Sequence, residues 1–83
     1  MEAINLLGPI RPEHATDGWR LEGDALGRWR LVKHFGSTEA VVVPTTSSAV
    51  AWMVLIGGKV IRAASEQDVH DAKSAAAEWI AKR

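Results

Sequence analysis

A chain of 83 residues without cysteine makes one small domain that no disulfide and no thiolate zinc site can staple. Ten basic and ten acidic side chains cancel, which excludes the profile of a strongly basic nucleic-acid binder or a strongly acidic DNA mimic. A chain this short buries a modest share of its surface, so stability has to come from a well-packed core or from a partner subunit.

The reading in chain order is an α+β domain over 1–83. An irregular segment covers 1–18, an antiparallel β-meander of four to five strands covers 19–64, and a C-terminal helix covers 65–83, packed on one sheet face. In the first segment Ile4, Leu6, Leu7 and Ile10 are apolar, but Pro9 and Pro12 interrupt any long helix. A short strand or one helical turn is expected at 3–7, then a loop through His14, Asp17 and Gly18. Trp19 to Glu22 is the first strand, followed by the turn-forming run Gly23 to Gly27.

Arg28 to Phe35 alternates, with Trp29, Leu31 and Phe35 on one face and Arg28, Arg30, Val32 and His34 on the other; Lys33 interrupts the first set. If Gly36 and Ser37 make a two-residue loop, His34 falls opposite Glu39 and Val32 opposite Val41. The third strand, Glu39 to Val43, ends in the polar connection Pro44 to Ser48.

The terminal hairpin is the clearest signal. Ala49 to Ile56 and Lys59 to Ala64 flank Gly57-Gly58, whose residues accept the positive φ of a type I′ or II′ turn. Simple pairing across that turn sets Val54 against Ile61 and Trp52 against Ala63. On the other face it sets Leu55 against Val60, Met53 against Arg62 and Ala51 against Ala64. The Trp52 face is heavier and should meet the helix. That helix is expected from about Glu66 to Lys82, with Ser65 as its N-cap and Val69, Ala72, Ala76, Trp79 and Ile80 as its buried stripe. Trp52, Val54, Ile61, Trp79 and Ile80 are the expected core.

The chain has no G-x-S-x-G, no phosphate-cradling loop and no H-E-x-x-H. His14, His34 and His70 are not spaced as metal ligands, so no metal, cofactor or catalytic residue is expected. The run R-W-R-L-V-K-H concentrates positive charge in the middle of the chain. Residues 28–62 hold five bases against one acid. Arg28, Arg30, Lys33 and His34 are therefore the candidate nucleic-acid contacts. The N-terminus has no basic leader pattern, and the run Ala49–Ile56 is too short to span a bilayer. Association with a membrane is not expected, and the cytoplasm is the expected compartment.

The stretch D-A-K-S-A-A-A-E-W-I at 71–80, after a hairpin, resembles the end of a double-stranded RNA-binding domain, whose last helix carries K-K-x-A-K. Ala72 and Lys73 match the last two motif positions; Val69 and His70 stand where the basic pair would be. The likeness covers about twenty residues and implies RNA contact through the helix. The A-K-x-A-A helix after a β-meander is also similar to small proteins of phages and bacterial mobile elements. That likeness implies an adaptor or inhibitor.

The second hairpin face is the stronger functional pointer. Met53, Leu55, Val60 and Arg62 form an apolar patch around one guanidinium, a composition typical of protein interfaces. The expected function is non-catalytic protein binding, with a homodimer as the first form. The N-terminal segment is the other candidate cover for that face. Nucleic-acid binding through the basic strand is the alternative.

Overall fold

The strands follow one another in space as they do in sequence: β1 (Arg20–Gly23), β2 (Trp29–Phe35), β3 (Thr38–Pro44), β4 (Val50–Ile56) and β5 (Lys59–Glu66). All neighbours pair antiparallel, and one helix, α1 (Val69–Ala81), follows. The computed structural model describes residues 10, 12–23, 29–46 and 49–82. The expected element at 3–7 and most of the expected Gly23–Gly27 turn lie outside these residues, and so does Arg28. The architecture is an α+β meander with the helix on one side, as the strand and helix periodicities imply.

Register assigns every strand residue to a face. On the helix side one row runs Leu21, Leu31, Val42, Trp52, Ala64 across all five strands. A second runs Lys33, Ala40, Val54, Arg62. Leu31, Ala40, Val42, Val50, Trp52 and Val54 join Val69, Ala72 and Ala76 of α1 in one buried cluster. The alanines let the helix backbone approach β3 and β4 closely, and larger side chains at its C-terminal end, Trp79 and Ile80, pack at the cluster's margin. Those two are half-buried, so the expected core holds fully for Trp52 and Val54 and partly for Trp79 and Ile80.

The loops before β3 and β5 follow the expected turn chemistry. Gly57 and Gly58 have φ of 61° and 81°, the pair of positive values that a type I′ turn needs. The two-residue loop at Gly36-Ser37 sets His34 opposite Glu39 and Val32 opposite Val41, as the loop length implies.

Three expectations are corrected. A bulge lies between Val54 and Leu55: Leu55 faces Val60, but Val54 faces Arg62, leaving Ile61 as the extra residue. Ile61 is consequently 38% exposed rather than in the core, and Trp52 pairs with Ala64 and Met53 with Ala63. The helix begins at Val69, not near Glu66. Ser65 and Glu66 continue β5, and Asp68 is the N-cap, accepting from the Asp71 N–H at 2.8 Å. Finally, Ile10 is fully buried in the helix-side cluster, so this part of the N-terminal segment serves the first face and not the second. Ile4, Leu6 and Leu7 lie outside the described residues.

Candidate functional site

The sheet face opposite α1 also reads as rows. Arg20, Val32, Val41, Met53 and Ala63 cross all five strands; His34, Glu39, Leu55 and Val60 form a parallel row. Val32 and Val41 are buried but stand outside the helix-side cluster. Met53 and Leu55 are half-buried, and Val60 is 47% exposed. Around Val41, Met53, Leu55, Val60 and Ala63 this face is therefore apolar, while charge gathers on β1 and β2 and at Glu39 of β3.

The bulge changes which of the expected interface residues share a face. Met53, Leu55 and Val60 share the open face, whereas Arg62 lies in the Val54 row and is exposed at the β5 edge. The guanidinium expected at the centre of the patch is thus displaced from it. Lys59, Arg62 and the bulge blunt β5 as an edge strand, which disfavours edge-to-edge pairing there.

The basic strand is divided by the same alternation. Arg30 and His34 lie on the open face and Lys33 on the helix side. Glu22 accepts from Arg20 at 3.1 Å and from Arg30 at 3.4 Å, so Arg30 is already paired. His34 is exposed beside Glu39. No row of the described sheet gathers these bases into one stripe.

A third feature has no counterpart in the sequence reading. An open cleft of about 460 Å³ lies where the Thr16–Gly18 turn meets α1. Thr16 and Asp17 line it from the turn, Trp19 from the approach to β1, and Lys33 from β2. His70, Lys73, Ser74 and Ala77 complete it from α1. The Pro12–His14 3₁₀ turn precedes it, and Lys73 Nζ donates to the His14 carbonyl at 2.7 Å and to Thr16 Oγ1 at 3.3 Å. The same ammonium stands 5.8 Å from the Trp19 ring centroid, and Lys33 Nζ stands 5.0 Å from that of Phe35. Asp17 has φ of 58° and Gly18 of 89°; a Cβ on Gly18 would come within 3.2 Å of Lys33 Cε. The turn thus curls tightly around the lysine stem. Burial pushes the Lys73 ammonium below its ordinary pKa; Asp17 opposes the shift and Lys33 adds to it.

Periodicity could not have found this cleft. Its residues come from three separated stretches, and those that stood out in the sequence, Lys33, His70 and Lys73, did so for other reasons. Among the described residues no group of three or more His, Cys, Asp or Glu side chains could hold a metal, and no helix is long and apolar enough to cross a membrane. No protein-family model matches the chain, and neither a curated protein nor a solved structure matches it.

Proposed function

We propose that the chain is a non-catalytic protein-binding module that acts through the sheet face opposite α1, with a second copy of itself as the partner. The observation that carries this reading is the apolar part of that face: the half-buried Met53 and Leu55 and the exposed Val60, beside Val32 and Val41, none of them a member of the helix-side cluster. Charge argues for self-association over other partners. The rim carries both signs: Arg20, Glu22 and Arg30 cluster on β1 and β2, and His34 of β2 stands opposite Glu39 of β3. Two copies related by a two-fold axis can match such a rim with itself. A phosphate backbone would meet Glu22 and Glu39 along with the bases. A domain of this size also gains stability by association. The expected compartment is the cytoplasm, where a core without disulfides suffices.

Sedimentation over a wide concentration range tests the reading. A concentration-dependent dimer that Leu55→Glu converts to monomer, with the circular dichroism unchanged, supports it. A monomer at every concentration sinks self-association. Salt-sensitive binding of single- or double-stranded nucleic acid, lost on Arg30→Ala, would establish the alternative instead.

A further inference from the structure

The cleft beside α1 holds two ammonium groups, Lys33 and Lys73, and neither makes an ion pair among the described residues. Asp17 lines the same cleft without closing on either lysine. Two ammoniums against one carboxylate leave a single net positive charge when His70 is neutral. Like charges brought together in a partly desolvated place repel, and an anion between them relieves that repulsion. The Lys73 ammonium has three N–H groups, of which two go to the His14 carbonyl and Thr16 Oγ1. The third is available to a ligand. Thr16 accepts through its oxygen, so its own hydroxyl hydrogen can also be donated, and Ser74 offers another hydroxyl on the α1 wall. Trp19 and Ala77 add apolar wall beside these donors. The volume lies within the range of small-molecule sites, which combine apolar walls with a few convergent polar groups.

We propose that this cleft binds a small organic monoanion, its carboxylate held between Lys33 and Lys73 and its apolar part laid against Trp19 and Ala77. The site is separate from the open sheet face, so it stands or falls independently of self-association. The single net charge selects a carboxylate over a phosphate dianion, and the apolar wall selects a short alkyl or aryl acid over acetate.

Chemical-shift titration of the full chain at low ionic strength tests this, with butyrate, acetate, inorganic phosphate and neutral butyramide as probes. Butyrate should saturate, shifting the Thr16–Trp19 amides, the Trp19 indole and the His70–Ala77 amides, and should bind more tightly than acetate. Lys33→Gln leaves the Lys73 contacts to the turn in place, and should weaken butyrate about tenfold through loss of one charged contact. Four results overturn the proposal: no saturation in the millimolar range, shifts spread over Arg20, Arg30 and Lys59, butyrate affinity unchanged in Lys33→Gln, or equal binding of butyramide. Tighter binding of phosphate than of butyrate overturns the carboxylate assignment.

Discussion

Lys73 on α1 donates to the backbone carbonyl of His14 at 2.7 Å, a contact between residues 59 apart in sequence. It fastens the turn before β1 to the helix after β5, so the two ends of the meander share one anchor. The donor is charged and partly buried, and such bonds contribute more than neutral exposed ones. Lys73→Met keeps most of the stem's packing and removes the donor. It should lower the unfolding free energy by about 1–3 kcal/mol. Urea denaturation with an unchanged slope checks the value. An unchanged midpoint would show that the turn holds without the bond.

The same lysine makes stability depend on pH with a definite sign. Burial holds its pKa in the folded chain below 10.5, the ordinary value that the unfolded chain retains. Between the folded value and 10.5 the unfolded state binds more protons, so stability contributed by this group rises with pH across that window. Below the window both states are protonated and the penalty on the folded state is carried in full. Other titrating groups cancel when wild type is compared with Lys73→Gln. The difference between them should therefore widen in favour of wild type from neutral pH to about pH 10. A constant difference would mean that the ammonium is as well solvated as in the unfolded chain.

The fold was legible where local chemistry repeats. Strand alternation, Gly36-Ser37 and Gly57-Gly58 specified the meander, because glycine-rich two-residue loops leave few registers open. The alanine and valine stripe specified the helix. What could not be read was the bulge, which depends on how β5 twists against β4 and leaves no mark on the apolar pattern of Val60 and Ile61. That one extra residue moved Arg62 off the expected patch and left Met53, Leu55 and Val60 together. The cleft was invisible for another reason. Thr16, Lys33 and Lys73 meet only after the chain has closed.

The bulge sets a contrast between two neighbouring aliphatic side chains. Val54 is fully buried under the helix, whereas Ile61 is 38% exposed as the unpaired residue of β5. Val54→Ala should cost about 2 kcal/mol, from lost burial and the cavity left behind. Ile61→Ala should cost less than about 1 kcal/mol, although it removes more carbon. Chemical denaturation of both variants checks the order. A larger loss at Ile61 would restore the bulge-free register, in which it faces Val54 in the core.

A second contrast locates the start of α1. Asp68 has extended backbone angles, with φ −144° and ψ 166°, and its carboxylate accepts from the Asp71 N–H at 2.8 Å. That oxygen satisfies one of the unpaired amides of the first turn, and its charge opposes the positive end of the helix dipole. Ser65, which also has a capping side chain, lies in β5 opposite Ala51 and is exposed. Asp68→Ala should therefore cost about 1 kcal/mol. Ser65→Ala should stay within about 0.5 kcal/mol of wild type. Asp68→Asn supplies the discriminating control, because it keeps an acceptor oxygen and loses only the charge. Its loss should be a fraction of that of the alanine variant and should shrink with added salt. Equal losses for Asn and Ala would assign the stabilisation to charge alone. A larger loss at Ser65 would place the helix start in the preceding turn.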